Sequence, residues 1–76
     1  MSPKLPQVKC RQLVQALKRA GFEEQRQRGS HLHMRRVSDG KRATVPIHEG
    51  RAVPPGTLRA ILRDADISVD ELLELL

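Results

Sequence analysis

All three histidines of the chain fall between positions 31 and 48, as His31, His33 and His48. Imidazole titrates near neutral pH, so a histidine can take the proton of a ribose 2′-hydroxyl or give one to a departing 5′-oxygen without a metal. His31 is the sharpest candidate because it follows the turn signal Gly29-Ser30 and opens a strand in a basic stretch. Spacing alone favours a histidine solvated on a strand, since nothing in periodicity makes one catalytic. His33 shares the face of His31 by strand alternation and could be a second acid or base, a phosphate contact or a bystander, with bystander the default. These two and His48 can also be drawn as three zinc ligands. No cysteine lies nearby, however, and no Asp or Glu stands as an evident second partner, so neither a metal site nor a cofactor is expected. Ser30 is not a hydrolase nucleophile, since neighbours on a strand point to opposite faces and no strand-turn-helix elbow surrounds it.

Around the histidines lies a basic rim. Arg26, Arg28, Arg35, Arg36, Lys41 and Arg42 are met by one acid in the same stretch, Asp39, and a cluster of this sign attracts phosphate. With Ser30 and His33 they form the expected RNA-binding set. Cys10 and Met34 fall on apolar stripes and read as core.

These side chains need elements to hold them. Pro3 and Pro6 keep the start extended, with Pro6 at the opening of a helix, and Val8, Cys10, Leu13, Val14 and Leu17 recur at helical steps until Gly21 stops them. Glu23 to Arg28 is polar throughout and reads as a sheet-edge strand. From His31, Leu32 and Met34 point one way and His31, His33 and Arg35 the other. Ser38-Asp39-Gly40 is a hairpin turn into a strand over Lys41 to Ile47, with Ala43, Val45 and Ile47 on one face. Pro54-Pro55-Gly56 breaks the chain, and Thr57 caps or opens a helix carrying Leu58, Ile61, Leu62 and Ala65, which Asp66 closes. Ser68-Val69-Asp70-Glu71 is a capping-box pattern ahead of a short third helix. The order α-β-β-β-α-α describes an α+β fold: a three-stranded antiparallel sheet, helices on one face and a short extra C-terminal helix. Alternation then forces His31, His33, Thr44 and, if the strand extends, His48 onto the uncovered face.

Composition bounds the function. Seventy-six residues make one domain over 1–76 and exclude a large multidomain enzyme. Fourteen Lys and Arg against nine Asp and Glu give +5, unevenly placed: residues 1–62 carry net +9 and residues 63–76 net −4. A basic body with an acidic tail suits a nucleic-acid or acidic protein partner. Phe22 is the sole aromatic residue, which counts against binders that stack bases on aromatic platforms. The lone Cys10 rules out a disulfide framework within the chain. With no apolar run long enough for a bilayer and none fit for a signal peptide, a cytoplasmic protein without a membrane partner is expected.

The residues together resemble the HicA-type (YcfA-like) toxin family of bacterial type II toxin–antitoxin systems. The resemblance runs over nearly the whole length. It is carried by Lys18-Arg19-Ala20-Gly21-Phe22, Arg28-Gly29-Ser30-His31, Asp39-Gly40-Lys41-Arg42, Thr44-Val45-Pro46-Ile47-His48 and Pro55-Gly56-Thr57-Leu58-Arg59-Ala60-Ile61-Leu62. Where many relatives carry further His or aromatic residues after the first histidine, this chain has Leu32, His33 and Met34. The resemblance implies a fold like the double-stranded RNA-binding domain and a metal-independent endoribonuclease that cuts mRNA. It carries the family's catalytic histidine onto His31. It also implies control by a HicB-type antitoxin, the toxin being a monomer when free and part of a hetero-oligomer with the antitoxin. A non-catalytic RNA-binding domain and a protein-interaction module with a basic face are the alternatives.

Overall fold

The computed structural model describes residues 4–76, so the expectation for Pro3 lies outside the described residues. The elements run α1 (Cys10–Arg19), β1 (Phe22–Arg28), β2 (His31–Arg36), β3 (Arg42–Pro46), α2 (Pro55–Ala65) and α3 (Val69–Leu75). The three strands form one antiparallel sheet in the order β1-β2-β3, leaving β1 at an edge as its polar sequence requires and β2 in the centre.

The helix start predicted at Pro6 is corrected. Helix α1 begins at Cys10, because the chain before it is used otherwise: the Val8 carbonyl accepts the Val53 N–H at 2.7 Å and Lys9 bridges to Ala52. Gln12 Oε1 accepts the Lys9 N–H at 2.9 Å and closes the helix start. At the other end Ala20 is the cap and Gly21, at φ 97°, takes the left-handed turn that glycine permits. Helix α2 also starts earlier than predicted. Pro55 is its first residue rather than a break, since a proline there lacks only an N–H that no helical carbonyl would receive. Asp66 ends it with φ 57°, and Ser68 and Glu71 form the expected reciprocal box at the start of α3.

One sheet face is covered. Leu32, Met34, Ala43 and Val45 pack with Leu13, Leu17, Leu58, Ile61, Leu62 and Leu72 in a core that includes Cys10, and no polar or charged residue is buried among the described residues. At the corner of that core Arg36 acts as a bolt. Its guanidinium donates to Asp39 (2.8 Å) and to the carbonyls of Ala20 (3.4 Å) and Ala65 (3.2 Å), and it stands 4.8 Å from the centre of the Phe22 ring. One cation thus holds the C-terminal ends of α1 and α2, where a positive charge is favoured. No helix among the described residues is long and apolar enough to cross a membrane.

Candidate nucleic-acid interface and active site

Strand register decides which side chains meet on the uncovered face. On β2, Arg35 lies opposite Glu23 on β1 and Arg42 on β3; His33 lies opposite Arg26 and Thr44; His31 lies opposite Arg28 and Pro46. Each row shares a face, and the odd-numbered β2 residues point away from Leu32 and Met34. Four arginines and two histidines therefore lie side by side with no helix over them.

Strict alternation from the buried Phe22 would send Arg26 and Arg28 to the helix side. A bulge between Glu24 and Arg26 prevents this by inserting Gln25 as an extra residue. Glu24 stays on the helix side, where it pairs with Lys18 at 2.6 Å, while Gln25 and Arg26 both border the open-face concavity. No sequence signal marks this bulge, because every residue from Glu23 to Arg28 is polar.

Two concavities divide the open face. The first, of about 370 Å³, is lined by Gln25, Arg26, His33, Arg35, Arg42 and Thr44. Here His33 Nδ1 and Thr44 Oγ1 are 3.2 Å apart, which engages one nitrogen of that ring. The second, of about 400 Å³, is lined by His31, Thr44, Pro46, His48, Pro54 and Thr57. Thr44 borders both. A more voluminous cleft of about 720 Å³ lies between residues 4–7 and the start of α2, but its lining contains no His, Asp, Glu or Cys, so its size carries no acid–base chemistry.

Of the expected site residues, His31 is exposed at the start of β2. Its position is set by Gly29 (φ 56°) in the two-residue turn and by the Ser30 carbonyl, which accepts the Ile47 N–H at 2.6 Å. Arg26, Arg28, Arg35 and Arg42 are exposed and form no ion pair among the described residues. Two members of the expected rim lie elsewhere. Arg36 is on the helix side as described above, and Lys41, opposite it across the hairpin, shares that parity with an exposed side chain. Among the described residues no three His, Cys, Asp or Glu side chains come together to hold a metal ion: His33 lies in one concavity, His31 and His48 in the other.

Two carboxylates at the margins of the site are engaged, while Glu23, opposite Arg35, is exposed and forms no ion pair among the described residues. Arg36 donates to Asp39, and the Lys41 N–H adds a further bond at 3.1 Å, so the Asp39 carboxyl is held below the ordinary carboxylate range. Glu49, next to His48, is bound by Arg11 of α1 and is held low in the same way. Sequence reasoning did not find Thr57 and Gln25 as members of the face. Thr57 arrives only because α2 begins beside β3, which no local pattern encodes.

No curated protein matches this chain. A family model described as the HicA toxin of bacterial toxin–antitoxin systems matches residues 10–67, a span that contains α1, all three strands and α2. The chain belongs to the HicA toxin family.

Proposed function

We propose that this toxin is an endoribonuclease that binds mRNA across the open face of its sheet and cleaves it at His31. The observation that supports the reading best is the juxtaposition of His31 with unpaired arginines on one uncovered surface, Arg28 being its direct neighbour across β1. Arg26, Arg28, Arg35 and Arg42 attract the phosphate backbone, with His33 and Ser30 beside them, and an RNA strand laid over them passes His31. His31 removes the 2′-hydroxyl proton, the 2′-oxygen attacks the adjacent phosphorus in line, and a neighbouring arginine steadies the charge on the non-bridging oxygens. The products are a 2′,3′-cyclic phosphate and a 5′-hydroxyl. Neither step calls for a metal ion. A toxin–antitoxin family brings an antitoxin partner with it. A HicB-type antitoxin that covers the open face with acidic groups would displace RNA and occlude His31 together.

Purified protein incubated with mRNA in EDTA is expected to give fragments with those ends. His31→Ala should slow cleavage by about 10²–10⁴-fold with an unchanged circular dichroism spectrum. A folded His31→Ala protein that cuts at the wild-type rate would remove the catalytic assignment and leave an RNA-binding module. Activity lost in EDTA and restored by zinc would replace the metal-free mechanism.

A further inference from the structure

Cleavage of this kind moves two protons, and His31 accounts for one. The 2′-oxygen loses a proton as the P–O2′ bond forms, and the 5′-oxygen must gain one as the P–O5′ bond breaks, or leave as a costly alkoxide. The attacking and departing oxygens lie on opposite sides of the phosphorus. The second group must therefore face His31 across a gap that admits a phosphate.

We infer that His48 is this second group, the general acid that protonates the departing 5′-oxygen. The inference rests on the ribonuclease reading and deepens it. Of the residues lining the concavity around His31, only His31 and His48 carry a side chain of the type used for general acid–base catalysis; the others are Thr44, Thr57, Pro46 and Pro54. The two histidines come from different elements, one from the start of β2 and the other from the segment after β3, and a cavity of about 400 Å³ is within the ~300–1,000 Å³ usual for sites that enclose small groups. His33 is the weaker alternative. It projects from the same strand as His31, about 7 Å along it, lies in the other concavity, and has Nδ1 engaged by Thr44.

The backbone around His48 is built to hold it still. Its carbonyl accepts the Arg51 N–H at 3.1 Å and the Cys10 thiol at 3.5 Å, Gly50 completes the turn at φ 74°, and Arg11 ties Glu49 to α1. The His48 side chain is exposed, and its ring has no hydrogen-bond partner among the described residues. The turn is anchored while the imidazole is left to the substrate. In the balanced step His31 ends as imidazolium and His48 as neutral imidazole, and exchange with solvent restores both.

The test uses two versions of one RNA oligonucleotide containing the mapped cleavage site, one natural and one with the bridging 5′-oxygen replaced by sulfur. A thiolate leaves without a proton, so the second version does not need a general acid. On natural RNA, His48→Ala is expected to lose about 10²-fold or more in kcat with KM within about threefold of wild type. On the sulfur-bridged RNA it should recover to within about threefold of wild type, whereas His31→Ala stays inactive on both. Circular dichroism of His48→Ala should match wild type, since an exposed ring contributes little to the fold. Equal losses of His48→Ala on both substrates, wild-type activity on natural RNA, or rescue of His31→Ala in place of His48→Ala would each overturn the assignment. Wild-type protein that cleaves neither RNA would instead bring down the ribonuclease reading itself, and the acid with it.

Discussion

The two faces of this small sheet treat the same residue type in opposite ways. On the covered face Arg36 is enclosed by Asp39, two helix-end carbonyls and the Phe22 ring. On the open face its neighbour Arg35 is exposed and forms no ion pair among the described residues, as do Arg26, Arg28 and Arg42. A paired, half-enclosed cation contributes to stability because removing it orphans its acceptors. An unpaired exposed cation adds little to stability and keeps its full charge for a ligand. The charge of the chain is thus divided by strand parity into a part that holds the fold and a part left unpaired on the open face.

The bulge at Gln25 is where this division is most easily disturbed, and two deletions expose it. Removing Gln25 leaves a regular ladder in which Arg26 and Arg28 stay on the open face. Removing Gln27 also gives a regular ladder of the same length, but turns Arg26 to the helix side. The Gln27 deletion should therefore weaken RNA binding and flatten its salt dependence by about 0.7 in the log–log slope, the share of one phosphate, while the Gln25 deletion keeps the wild-type slope. Equal slopes for the two deletions would show that Arg26 does not touch RNA.

A smaller effect is expected from acid. The carboxyls of Asp39 and Glu49 are held below the ordinary range by their arginine partners, so each favours the folded state at pH values above its unfolded pKa of about 4, and that contribution fades as the pH falls through the depressed folded value. Asp39→Asn should unfold more easily than wild type at about pH 7, with the difference shrinking towards about pH 3. Thermal melts at both pH values check this, and a gap that widens in acid would contradict the sign. Because both carboxylates are exposed, the shift in melting temperature should be modest.

Much of this arrangement was legible in the sequence. The alternation of His31, Leu32, His33 and Met34 correctly separates face from core, and Asp39-Gly40 and Ser68 to Glu71 mark the turn and the last helix start. Arg36 falls in the expected rim by its place in the run of basic residues from Arg26 to Arg42, although its parity with Leu32 and Met34 points inward. The bulge could not be read, since β1 after Phe22 has no apolar residue to report its facing. The helix start slipped from Pro6 to Cys10 because the backbone of Val8 is committed to Val53, a partner more than forty residues away. Alternation already puts His31 and, if the strand extends, His48 on one face; the arrival of Thr57 beside them depends on how α2 meets β3, and local patterns do not encode tertiary placement.

Adjacent residues offer the most direct test that the two faces serve separate ends. Arg35→Ala and Arg36→Ala remove the same charge one residue apart, and each can be measured for denaturant unfolding and for RNA affinity across a salt series. Arg35→Ala is predicted to leave stability within about 0.5 kcal/mol of wild type and to lower the salt slope by about 0.7. Arg36→Ala is predicted to cost about 1–3 kcal/mol of stability and, under conditions where it remains folded, to bind RNA with the wild-type slope. The reverse pattern, with RNA binding lost in the Arg36 variant and stability lost in the Arg35 variant, would contradict the division of labour between the faces.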